Sequence, residues 1–112
     1  MDNCLFCKIA EKKIPADIVF ENEELAAFRD INPQAPVHIL IIPKEHISTP
    51  ADINSENSYI AGKMLAAAAE IAKTNKLEGY RLVFNCNESA GQTVFHLHMH
   101  RLGGRLMNWP PG

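Results

Sequence analysis

No segment of this chain is apolar for long enough to span a bilayer. The longest near-continuous apolar run, Val37 to Ile42, falls far short of the roughly 20 residues a membrane helix needs. A basic run is also missing. Eleven lysines and arginines are interspersed with thirteen acidic residues for a net charge of −2, so a nucleotide partner is expected to be a small molecule and not a nucleic-acid polymer. The N-terminus has no charged segment leading into an apolar one, and a secretory leader is not expected. Cysteine is scarce and odd in number, three in all, which speaks against a disulfide framework and for reduced thiols in the cytoplasm. Repeats and low-complexity linkers are absent. What remains is an ordinary globular composition, 46% hydrophobic over 112 residues, sufficient for one core and too short for two. We read residues 1–112 as one domain, with 103–112 as a C-terminal tail.

Within that length the elements are legible. Cys4 to Ala10 can form a short helix that stops before Pro15. Ile18 to Glu21 and Leu25 to Asp30 read as two strands of a hairpin turning at Asn22-Glu23. Pro33 and Pro36 make the next stretch a loop. Val37 to Pro43 is the strongest strand, β-branched and apolar at both parities, so it is expected at the centre of a sheet with both faces covered. The long helix is predicted from Ser55 to about Thr74, capped by Asn54 or Ser55, with Ile60, Met64, Ala68, Ile71 and Ala72 as its core stripe. Lys73 and Lys76 suit its C-terminal end. Tyr80 to Asn85 and Thr93 to Leu102 complete five or so mostly antiparallel strands with one long helix, an α+β arrangement.

The last of those strands holds three of the five histidines. His96, His98 and His100 alternate with Leu97 and Met99, and on a strand they would share one face, spaced by roughly 7 Å, with Phe95, Leu97 and Met99 on the other. Core filling explains such a row poorly, because a buried imidazole is unfavourable unless its nitrogens are paired. A metal site and a nucleophile flanked by phosphate binders remain. A flat strand cannot wrap three ligands around one ion, which favours His98 as a nucleophile. Cys4-x-x-Cys7 has ligand spacing but is only half a metal site. A redox pair of the thioredoxin kind would want a parallel strand–helix unit, and none is seen.

The pattern His96-Leu97-His98-Met99-His100-Arg101-Leu102 resembles the signature of the histidine triad (HIT) superfamily. Ile14-Pro15, Phe28 to Ile31, Pro33 to Pro36, His38, Ile42 to Lys44 with His46, Asn85, Gly91-Gln92 with Val94, and Trp109 to Gly112 extend the likeness to its branch of nucleotide-binding proteins. The resemblance implies a phosphoramidase acting on purine nucleoside 5′-phosphoramidates and acyl-nucleotides through a nucleotidyl-His98 intermediate. A dinucleoside polyphosphate hydrolase, or a nucleotide-binding or protein-interaction module with incidental hydrolysis, are the alternatives.

Residue by residue, the resemblance implies a backbone carbonyl near His96 to orient His98. It also implies His100 with the Gly91, Gln92, Thr93 and Val94 turn as donors to the phosphoryl oxygens. His38 or Thr93 would relay the proton to the departing amine; relatives often carry serine at position 93. Asp30 would hold the ribose hydroxyls, Leu5, Phe6, Phe28 and Ile31 the purine, and Asn85 the ribose or phosphate. Cys4, Cys7, His46 and His96 would bind a structural Zn2+, and no organic cofactor is implied. The resemblance further implies a homodimer whose sheets join into ten strands, with the tail carrying Trp109 reaching toward the partner's site.

Overall fold

In the computed structural model, which describes residues 3–112, five strands form one antiparallel sheet. In chain order the elements are α1 (Leu5–Ala10), β1 (Ile18–Glu21), β2 (Leu25–Arg29), β3 (Val37–Pro43), α2 (Tyr59–Asn75), β4 (Tyr80–Val83) and β5 (Met99–Gly103). The sheet order is β1-β2-β3-β5-β4, which puts β3 in the middle as its composition predicts. The β1–β2 turn is an Asn turn, in which the Asn22 side-chain oxygen accepts the N–H groups of Glu24 (2.9 Å) and Leu25 (2.8 Å).

Alternation along β3 divides the core. Ile39 and Ile41 pack with Leu25, Ala27, Met99 and the α2 stripe on one face, while Leu40 and Ile42 pack with Ala26, Phe28 and the α1 residues Phe6 and Ile9 on the other. All five stripe residues expected for the long helix are buried. The helix itself starts later than expected. The Asn54 side chain accepts N–H bonds from Glu56 and Asn57 and so closes a turn ahead of the helix, and Ser58 becomes the cap residue without a side-chain bond. At the other end Lys76, at φ 58°, takes the left-handed cap position and Leu77 N–H returns to the Ala72 carbonyl at 3.0 Å.

The histidine strand is shorter than its alternation suggests. Only Met99–Gly103 is paired, with Ile41 opposite Met99 and Val37 opposite Gly103. Continuing that register would set Leu97 opposite Pro43, which has no N–H to give to a ladder. The Leu97 N–H bonds the Ile47 carbonyl instead, at 2.5 Å. Leu97 and Met99 still reach the core, but Phe95 is exposed. His96 and His98 therefore sit in an irregular segment feeding β5, with backbone groups that no strand partner claims.

Candidate active site

That irregularity frees a carbonyl. The His98 Nδ1–H donates to the backbone oxygen of His96 at 2.7 Å, which assigns the proton to Nδ1 and leaves the lone pair on Nε2. His98 is buried, with the edge of the Phe6 ring against it at a centroid distance of 5.1 Å. Burial lowers its pKa below the ordinary histidine value, partly offset by the bond to His96. The ring is thus neutral near pH 7, as a nucleophile requires.

A second chain of bonds sets the neighbouring tautomers. The backbone N–H of Gln34 donates to His38 Nδ1 at 3.0 Å, so His38 carries its proton on Nε2, which lies 2.9 Å from His100 Nδ1. His100 must accept there, and its own proton falls on Nε2. Asp30 places Oδ2 3.5 Å from the same His38 nitrogen. Burial lowers the pKa of His38 and, helped by the nearby histidines, brings that of His100 to about 4. The ring centroids of His98 and His100 are 5.0 Å apart, closer than the roughly 7 Å that an extended strand predicts.

His98 and His100 form one wall of a cavity of about 310 Å³, at the lower end of the range for small-ligand sites. Of the residues expected to hold a nucleotide, Leu5, Phe6, Phe28, Asp30, Ile31, Thr93 and Val94 line it with them. Ile9, Ile14, Leu40 and Arg29, which carried no such expectation, join the lining. Ile31 is fully exposed at the rim. Asn85, Gly91 and Gln92 are not in the lining. The Gln92 side chain is committed elsewhere. Its oxygen accepts the Asn87 N–H at 2.8 Å, and its amide donates to the carbonyls of Ser48 (2.8 Å) and Val94 (3.1 Å). The polar atoms of its side chain thus hold the loop that carries Thr93 and Val94.

Cys4, Cys7, His46 and His96 come together beside this cavity, their four donor atoms within 4.8 Å of one another. His96 Nδ1 lies 3.2 Å from Cys4 Sγ and 3.5 Å from Cys7 Sγ, and His46 Nδ1 lies 3.4 Å from Cys7 Sγ. A tetrahedral zinc with sulfur and nitrogen ligands has edges of about 3.5 Å, so the spacing already fits. The histidine tautomers fit too. His96 Nε2–H donates to the Pro43 carbonyl at 2.7 Å, which turns its Nδ1 lone pair inward, and His46 Nε2 faces Ser48 Oγ at 3.1 Å, a hydroxyl able to accept the His46 proton. Burial, with the neighbouring Cys4, pushes the Cys7 thiol up to about 11, a proton a divalent cation would displace. Gln34 and Pro43 act here through their backbones; the sequence marks both only as part of the family likeness and gives neither a site role.

A five-stranded antiparallel sheet with His98 and His100 on the wall of a cavity of small-ligand size defines the class, and comparison with known proteins agrees. Residues 3–108 match the family described as scavenger mRNA decapping enzyme C-term binding. The purine nucleoside phosphoramidase of Escherichia coli K12 is 47% identical over 106 residues, covering 93% of this chain and 89% of its own. A 14 kDa zinc-binding protein of Zea mays is 50% identical over 111 residues, covering 96% of this chain and 87% of its own. A HIT family hydrolase from Legionella pneumophila Philadelphia 1 superposes with a TM-score of 0.96 at 55% identity, covering 98% of this chain and 100% of that one. The chain belongs to the histidine triad family. Among the described residues no helix is long and apolar enough to cross a membrane.

Proposed function

We propose that this protein hydrolyses purine nucleoside 5′-phosphoramidates and acyl-nucleotides, with His98 as the nucleophile. The observation that carries this reading is the 2.7 Å bond from His98 Nδ1 to the His96 carbonyl, because it leaves a neutral imidazole with its Nε2 lone pair free beside the cavity. The name of the Escherichia coli relative supports the substrate class. In this reading Nε2 attacks the α-phosphorus, the P–N bond breaks, and the amine leaves with a proton. Water then cleaves the N–P bond of nucleotidyl-His98 and releases the nucleoside monophosphate.

His100, whose proton is assigned to Nε2, donates to a phosphoryl oxygen as charge builds there. Thr93 lines the cavity and is the nearer candidate for the leaving-group proton, since the His38 proton is engaged with His100. Asp30, also in the lining, accepts from the ribose hydroxyls, and Leu5, Phe6, Phe28 and Ile31 enclose the base. Cys4, Cys7, His46 and His96 hold Zn2+, which ties α1 to the histidine segment; the zinc-binding name of the maize relative supports this. We take the active form to be a homodimer, a reading supported by the exposed Trp109, at 82%, and by β4 at the sheet edge.

The test is release of AMP from adenosine 5′-phosphoramidate by wild type and by His98→Ala, with diadenosine polyphosphate as the competing substrate. His98-dependent AMP from the phosphoramidate is expected. Faster cleavage of the polyphosphate replaces this reading with the alternative hydrolase, and saturable AMP binding with no turnover of either replaces it with a binding module.

A further inference from the structure

Two routes lead from the four-ligand cluster to His98. The first is His96 itself. Its ring nitrogen faces the sulfurs of Cys4 and Cys7 at 3.2 and 3.5 Å, while its backbone carbonyl accepts the His98 proton at 2.7 Å. The second is α1. Cys4 caps that helix, accepting the Cys7 N–H at 3.3 Å, and Cys7 lies in its first turn. Between them Phe6 meets the His98 ring edge-on and lines the cavity. The residues that would hold a cation are therefore joined to the nucleophile through the His96 carbonyl and through Phe6, which sits between Cys4 and Cys7.

The carbonyl of His96 lies outside the β-ladder, so no strand partner fixes its direction. Its position depends on how the His96 ring is held. One ring nitrogen is anchored to the Pro43 carbonyl at 2.7 Å. The other faces only thiols, whose hydrogen bonds are weak. A cation bound at the cluster displaces the thiol protons to solvent and joins α1, the His46 loop and His96 at one point. The cluster is also reachable, since a cleft of about 350 Å³ is lined by Cys4 and His46, and both are only partly buried.

We propose that the Cys4–Cys7–His46–His96 cluster is a positioning device for His98: with a divalent cation bound, it holds the His96 carbonyl and Phe6 so that His98 stays in its Nδ1–H form with Nε2 toward the cavity. Metal occupancy then sets catalytic competence, beyond any contribution to stability. The proposal rests on the reading of His98 as the nucleophile.

The test compares the full chain loaded with one equivalent of zinc and stripped by a chelator, both shown folded by circular dichroism. Long-range 15N–1H correlation reads the His98 tautomer, and rapid quenching after mixing with adenosine 5′-phosphoramidate reads the nucleotidyl adduct. The loaded chain is expected to show the Nδ1–H form alone. The stripped chain, and Cys4→Ser, are expected to show a tautomer mixture and adduct formation slowed by about tenfold or more, with recovery of the stripped wild type when zinc is restored. An identical His98 spectrum in loaded and stripped folded protein overturns the proposal, as does a wild type that takes up no zinc. Should stripping unfold the chain, His46→Gln, which leaves α1 and His96 in place, is measured for the same two outcomes. A zinc-dependent tautomer in a chain that forms no His98 adduct supports the coupling and removes the nucleophile assignment instead.

Discussion

His38 Nε2 lies 2.9 Å from His100 Nδ1, and because the Gln34 N–H occupies the other His38 nitrogen, this bond has only one direction. His38 donates, His100 accepts, and the remaining His100 proton is left on Nε2. A strand histidine on β3 and another on β5 thus fix each other's chemistry across the pair Leu40–His100 and its neighbour His38–Leu102.

The relationship predicts that His38 acts through His100. His38→Ala removes the donor, frees His100 to change tautomer, and should lower kcat roughly tenfold to a hundredfold with KM changed far less. Steady-state kinetics on adenosine 5′-phosphoramidate check this, and a kcat within twofold of wild type would refute it.

Acid should destabilise the fold through the same histidine. Burial lowers the His100 pKa from 6.5 to about 4. The unfolded chain binds a proton as pH falls through about 6.5, whereas the native chain does not until about pH 4. Stability is full above the upper value and falls toward the lower one. Thermal melts of wild type and His100→Asn at about pH 7 and pH 4.5 should show a smaller loss in the variant. Equal losses would show that His100 does not contribute.

Arg101 is fully buried on the α2 side of β5 without a carboxylate. Its guanidinium donates to Asn75 Oδ1 at 2.9 Å and to the Ala68 carbonyl at 3.4 Å, and its Nε has no partner. Burial lowers its pKa from the usual arginine range. Replacing a buried ion by an apolar side chain of similar volume is often neutral or stabilising by about 1–4 kcal/mol, so Arg101→Met should hold or raise the urea midpoint. Asn75→Ala, which leaves the charge and removes its acceptor, should cost about 1–3 kcal/mol. A large loss in Arg101→Met would refute the argument.

Gly104 ends β5 with φ +90°, and a Cβ there would stand 2.9 Å from Pro36 Cβ. Both the left-handed backbone and the contact oppose a side chain, and Pro36 is rigid. Gly104→Ala should therefore destabilise by roughly 1–3 kcal/mol, whereas Gly62→Ala, where nothing lies within 4 Å and the residue is helical, should stabilise by up to about 1 kcal/mol. Denaturant unfolding of the two variants separates them.

Much of this molecule is written locally. The β-branched run of Val37–Pro43 requires a central strand whoever its neighbours are, and the helical spacing of Ile60, Met64, Ala68 and Ile71 chooses its own buried face. The histidine row and the cysteine pair are legible as chemistry because few other roles suit such residues at those spacings, whereas Asp30 enters only through the family resemblance. Alternation could not reveal where β5 begins. That depends on Pro43, which meets the histidine segment 53 positions further along and both fails to extend the ladder and supplies the carbonyl that turns His96. The tautomers are likewise tertiary facts. Each imidazole has two equivalent readings until a partner chooses one, and the partners are a loop N–H for His38, a residue 62 positions away for His100, and a carbonyl released from pairing for His98. Residue type states which groups can exchange protons; only the folded neighbours decide which nitrogen is left free.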